Sequence, residues 1–244
     1  ISNQRGTQID ITPQFRLSGK APELWDPLSG TIRPLPEYAV QDSATTVPLR
    51  LQAYQSAFII FRDDKKPGVK KAVRNFPDPV KQDVLEGAWQ VSFQSDSIRR
   101  GPQKPVSFAA LSDWTKNPDP QIRYYSGTAV YRKTFKADPA TPGAHILLDL
   151  GRLTAMARVK VNGNEAGGAW TAPWQVDITK WVKPGDNTLE VEVVNNWMNR
   201  LIGDLNLPEN ERKTWTNVFP YNTASPLQPS GLLGPVSLQT IRYK

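Results

Sequence analysis

The chain is a succession of short stretches in which apolar and polar residues alternate. Val47, Leu49 and Leu51 are separated by Pro48 and Arg50, and Trp89, Val91 and Phe93 by Gln90 and Ser92. Ile146, Leu148 and Leu150 follow, then Ala157, Val159 and Val161 around Arg158 and Lys160. Leu189, Val191 and Val193 flank Glu190 and Glu192, and Val236 and Leu238 flank Ser237. A period of two puts alternate side chains on opposite faces of a strand, one buried and one wet, as in antiparallel sheets. No stretch keeps an apolar period of 3.6 for long. Many short strands broken by frequent turns predict an all-β fold, a sandwich or jelly roll with very little helix. Its core should hold Trp89, Val91, Leu148, Val159, Val161, Leu189, Val191 and Val193.

Turn chemistry agrees. The 22 prolines and 16 glycines recur at short intervals. Asn162-Gly163 follows an alternating run and suits a two-residue hairpin, because both residues tolerate positive φ. Pro184-Gly185-Asp186-Asn187 is a second strong turn ahead of Leu189. Residues 63–83 are charged, proline-containing and without strand pattern, as a linker should be. Residues 1–62 then read as the C-terminal part of a preceding β-domain, and residues 84–244 as a complete β-sandwich.

Composition narrows the chemistry. A hydrophobic content of 39% supports a folded core. The longest apolar run, Ala57–Phe61, falls far short of the roughly 20 residues that span a bilayer, so no membrane is expected as a partner. With no cysteine and one histidine, His145, cysteine-based metal sites and most familiar hydrolytic centres are excluded. The chain starts at Ile1 and its first residues already read like the interior of a domain, so the expectation is a piece of something longer. The net charge of +7 could serve an anionic partner or solubility alone. The basic residues are scattered, and the densest run (Lys65, Lys66, Lys70, Lys71, Arg74) is interleaved with Asp63 and Asp64. Only charge favours nucleic acid, so none is expected as a partner.

Motifs for nucleophilic, nucleotide-binding and zinc-dependent chemistry are absent: there is no G-x-S-x-G, G-x-G-x-x-G, P-loop or H-E-x-x-H. His145, alone at a strand entrance, reads as structural or exposed. Glycoside hydrolysis needs paired carboxylates, and the candidates are Asp177, Glu190, Glu192, Asp204, Glu209 and Glu211. Glu190 and Glu192 lie on the wet face of a strand. Asp177, in Val176-Asp177-Ile178-Thr179, can satisfy backbone donors before a short turn. Nothing sets a pair apart, so no catalytic residue is assigned. No cofactor is expected, structural calcium is not indicated, and no metal ligands can be named. Eight tryptophans are many for this length. Trp89 and Trp181 follow strand patterns and suit the core. Trp170, Trp174, Trp197 and Trp215 lie in loop-like sequence, where an indole could pack locally or stack on a sugar ring.

Val84–Phe93, Val161-Asn162-Gly163 with Gly167–Thr179, Gly185–Val193 and Ser230–Val236, in that order, resemble the sugar-binding domain of the β-galactosidase/β-glucuronidase clan. Glu23-Leu24-Trp25-Asp26-Pro27 with Gly30, Tyr124–Tyr131 and Asn195–Asp204 resemble the C-terminal region of large bacterial α-L-rhamnosidase-type glycoside hydrolases. The resemblance covers most of the chain. It implies a galactose-binding-like jelly-roll β-sandwich, preceded by the tail of another β-domain. It also implies a catalytic domain elsewhere in the same polypeptide and an extracytoplasmic bacterial setting, periplasmic or secreted. The role that follows is a non-catalytic accessory domain that packs on the catalytic domain and shapes its substrate cleft. The alternative is an independent carbohydrate-binding module that tethers the enzyme to polysaccharide.

The long, irregular stretch between Val194 and Gly231 is the candidate carbohydrate contact. It carries Asn195, Trp197, Asn199, Arg200, Asp204 and Trp215, to which Trp170 and Trp174 are added. Amide, guanidinium and carboxylate groups can bond vicinal hydroxyls while an indole supplies an apolar platform. A self-packed loop is the competing expectation, with Arg200 and Asp204, four apart, paired with each other.

Overall fold

The alternating stretches are strands, and they gather around two separate hydrophobic cores. In the computed structural model, residues 1–63, 73–94, 99–218 and 220–243 are described. The lysines of the basic run lie outside them. The first unit holds eight short strands: β1 (Ile9–Ile11), β2 (Gln14–Phe15), β3 (Ala21–Trp25), β4 (Ile32–Pro34), β5 (Ala39–Gln41), β6 (Ala44–Thr46), β7 (Leu49–Leu51) and β8 (Phe58–Arg62). They form small sheets in the orders β1-β7, β2-β6-β5 and β4-β3-β8. Leu24, Leu35, Tyr38, Val47, Leu49, Leu51 and Ala57 make their core.

The second unit is the sandwich. It opens with β9 (Lys81–Val84), β10 (Trp89–Phe93) and β11 (Val106–Phe108), then a short helix α1 (Pro120–Arg123) and the long β12 (Thr128–Ala137). Next come β13 (Ala144–Asp149), β14 (Arg152–Leu153), β15 (Met156–Val161), β16 (Asn164–Ala169), β17 (Gln175–Asp177) and β18 (Gly185–Val194). Helix α2 (Met198–Leu205) and strands β19 (Leu232–Gly234) and β20 (Ser237–Arg242) close the chain. One sheet runs β11-β10-β12-β18-β15-β16 and the other β17-β13-β20-β9, all antiparallel. Every core residue expected from the alternation is buried between the sheets, from Trp89 to Val193. The Asn162-Gly163 turn joins β15 to β16, with Val161 opposite Asn164 and both turn residues at positive φ. Trp181 packs against the margin of this core and stays half-buried.

Two expectations need correction. The segment 63–83 contains a strand: β9 pairs with β20 from Lys81↔Thr240 to Val84↔Ser237. All four of its residues are exposed, so it has no alternation to read. A charged edge strand of this kind blocks unwanted pairing. Earlier in the segment, Asn75 is buried and donates to the carbonyls of Glu37 (2.7 Å) and Pro48 (3.0 Å), and Phe76 lies on the first core. The second correction is the stretch after Val194, which begins with helix α2 and is not wholly irregular.

A cation–aromatic sandwich joins the units. The Arg33 guanidinium of β4 lies 4.7 Å from the Phe76 ring and 4.8 Å from the Tyr243 ring, just beyond β20. Burial pulls the Arg33 pKa below its usual value. Tyr243 also meets His145 edge-on at 5.5 Å, and His145 Nδ1 contacts Asp177 Oδ2 at 2.8 Å.

Candidate carbohydrate site

The candidate residues fall into three groups, and the connection from β18 to β19 separates them. Its first part is pinned to the sandwich. Asn195 is buried and donates to the Tyr125 carbonyl at 3.1 Å. Helix α2 follows and turns Asn199, Ile202 and Gly203 inward, three and four positions apart. Gly203 is required there, since a Cβ would come within 2.6 Å of the Tyr124 ring. Asn199 donates to the Gln228 carbonyl (2.7 Å) and Ser230 Oγ (3.2 Å), and its Oδ1 accepts from the Gln228 amide (2.9 Å). One side chain thereby ties the start of the connection to its end.

Arg200 and Asp204 form a buried ion pair, Nη2 to Oδ1 at 2.6 Å. The self-packed alternative is realised for these two residues. The second oxygen of Asp204 accepts from the Lys213 amide (3.0 Å) and the Thr214 hydroxyl (2.6 Å). A buried carboxylate costs several kcal/mol unless so satisfied. Its bonds fix the backbone at 213–214 against α2. Asn195, Asn199, Arg200 and Asp204 therefore build the scaffold of the connection.

The second part leaves that scaffold and stays open. Directly after the pinned Thr214, Trp215 is 83% exposed. It lines a cleft of about 480 Å³ together with Leu201, Asp204 and Leu205 of α2. Glu209, Arg212, Lys213, Pro220 and Tyr221 are also in its lining. Arg212 is steered by a 3.3 Å bond from Nε to the Leu207 carbonyl. The volume lies in the range of small-molecule pockets, about 300–1,000 Å³.

The remaining candidates lie outside this cleft. Trp197 is half-exposed beneath the Arg100 guanidinium, 4.8 Å from its ring. Trp170 stands exposed after β16, and Trp174 packs on the main core. Of the eight candidates, only Asp204 and Trp215 line the cleft. Arg212, Lys213 and Tyr221 went unselected in the sequence. The available signal was a basic pair two residues ahead of a tryptophan.

The other carboxylates are engaged elsewhere. Asp177 accepts from the Thr179 amide at 2.9 Å, as expected of a residue before a short turn. Glu190 pairs with Arg132 at 3.1 Å on the exposed face of β18. Among the described residues, no three histidine, aspartate or glutamate side chains are grouped to hold a metal. No helix among them is long and apolar enough to cross a membrane. Deep in the sandwich, burial pushes the Tyr131 hydroxyl far above its usual pKa, and it accepts from the Leu232 amide at 3.1 Å.

Comparison with known proteins places this geometry. Residues 107–223, from β11 through the cleft, match the family described as glycosyl hydrolase 2 galactose-binding domain-like. Over those residues the sandwich is similar to the galactose-binding-like domains of the glycoside hydrolase 2 type. The chain as a whole is similar to a rhamnosidase of a Novosphingobium species, with 38% identity and a TM-score of 0.85. That likeness covers 98% of this chain and 22% of the rhamnosidase, so it includes the first β-unit. A Formosa agariphila protein named "Putative beta-glucuronidase" is 34% identical over 197 residues, covering 70% of this chain and 16% of its own length. The chain thus spans about a fifth of the solved relative and a sixth of the curated one. The matched region includes the cleft on the β18–β19 connection.

Proposed function

We propose that this chain is the non-catalytic, sugar-binding-type accessory part of a larger glycoside hydrolase of the α-L-rhamnosidase kind. It packs on a catalytic domain of the same polypeptide and contributes the Trp215 side of the β18–β19 connection to the substrate cleft. The observation that carries this reading is the match of 98% of the chain to 22% of a rhamnosidase, at a TM-score of 0.85. Two features of the chain support it. The candidate carboxylates with resolved partners serve structure, in a turn, a surface ion pair and a buried ion pair. The exposed indole stands on a wall fixed from behind, as a contact surface should be. The setting we assign is extracytoplasmic, periplasmic or secreted, in a bacterium.

The test has two arms. The purified 244-residue chain should not hydrolyse 4-nitrophenyl α-L-rhamnopyranoside, and turnover that survives a mutant control would overturn the non-catalytic reading. In the full-length enzyme, Trp215→Ala should raise KM or lower kcat while leaving the melting temperature unchanged. Retention of the isolated chain on polysaccharide gels would transfer the function to an independent tethering module. Binding of single sugars on the order of millimolar would not, because it is too weak to tether.

A further inference from the structure

We propose that the cleft beside α2 is a subsite for an acidic sugar residue, a uronate, with Trp215 as its platform and Lys213 and Arg212 as its carboxylate partners. This rests on the accessory reading above and adds the chemical class of what the domain touches. Three observations converge. The first is size: a cleft of about 480 Å³ holds one pyranose with part of its neighbour. The second is the exposed indole, which offers a flat apolar face for the C–H side of a sugar ring and an N–H for a hydroxyl.

The third is the charge at the wall. The lining residues carry two acids and two bases: Asp204, Glu209, Arg212 and Lys213. The Asp204 charge is already met by Arg200, which lies behind the cleft and is buried. Both Asp204 oxygens point into the scaffold, towards Arg200 on one side and the 213–214 backbone on the other. With Asp204 so neutralised, the lining carries Glu209 against two cations, a net positive charge. Among the described residues, neither Arg212 nor Lys213 has a carboxylate in ion-pairing range. The Arg212 Nε bond to the Leu207 carbonyl leaves both terminal nitrogens of the fork for a ligand. Charge-assisted bonds of this kind select carboxylates over hydroxyls. Glu209 is left to accept from sugar hydroxyls, with the ligand's carboxylate at the basic end.

The pinned backbone makes the site preorganised. Asp204 holds residues 213 and 214, so Lys213 and Trp215 start from a fixed stretch of chain. A ligand then orders few side chains on binding, which limits the entropic cost.

The experiment follows the eight indole N–H signals of the whole chain by NMR, with Trp215 assigned through Trp215→Phe. D-glucuronate and D-galacturonate are titrated against glucose and galactose. The expected result is a shift of the Trp215 signal, with apparent Kd at least about ten-fold lower for each uronate than for its neutral parent. Raising salt should shrink that preference. The Arg212→Ala/Lys213→Ala double variant should erase it without lowering the melting temperature. Equal responses to uronate and neutral sugars, or no movement of the Trp215 signal at about 50 mM uronate, would overturn the proposal. A shift confined to Trp170 or Trp197 would also overturn it. None of these outcomes touches the accessory reading, which is decided by the rhamnoside assay and the full-length enzyme.

Discussion

Residues 195–205 and residues 209–218 belong to one connection, yet the first stretch is largely buried and the second largely open. The difference is instructive because both are rich in polar and aromatic residues and read alike in sequence. In the first, the polar groups find fixed partners: Asn195 on Tyr125, Asn199 on Gln228 and Ser230, and Arg200 on Asp204. In the second, Arg212, Lys213 and Trp215 project from a backbone held at 213–214 and face the cleft. Polar residues inside a fold are there because they are paired, and an exposed large aromatic beside a cleft is the informative exception. The buried stretch is the support and the open stretch is the surface it presents.

The sharpest way to break this contrast is to remove one member of the buried pair. Asp204→Ala leaves Arg200 buried without its partner and frees the wall at 213–214. It should cost about 3–5 kcal/mol in urea unfolding. Replacing both residues with apolar ones of similar size should recover much of that loss. An Asp204→Ala variant with unchanged stability would mean that the first stretch is not the support. Next comes Asn199→Ala, which leaves the Gln228 amide and carbonyl unmet and should cost about 1–3 kcal/mol. Gly203→Ala should cost a similar 1–3 kcal/mol, because its Cβ would collide with the Tyr124 ring. The smallest effect belongs to the open stretch. Trp215→Ala should change stability by no more than about 0.5 kcal/mol, while abolishing the sugar response of the cleft. A large stability loss at Trp215 would place it in the packed group and remove the distinction.

Part of this was readable from the residues alone. The hairpin at Asn162-Gly163 and the buried row Leu189, Val191, Val193 follow from local rules, because strand periodicity and turn φ values are set by near neighbours. Helix α2 was missed because its inward face is built from Asn199, Gly203 and Asp204 as well as Ile202, so no apolar period announces it. Strand β9 was missed for a related reason, since all its residues face solvent.

The sequence by itself determined the all-β class, the sandwich core, the principal turns and the likeness to a sugar-binding domain of glycoside hydrolases. Only the tertiary structure decided which of the polar and aromatic candidates form a support and which form a surface. Asn199 and Arg200 are adjacent in sequence and lie well ahead of Trp215, with nothing local to rank them. Their roles depend on Gln228, Tyr124 and the 213–214 backbone, contacts that exist only once the ends of the connection meet. Burial and hydrogen-bond satisfaction are properties of the folded surroundings, so a tryptophan or an aspartate in a loop acquires its meaning from residues far away in the chain.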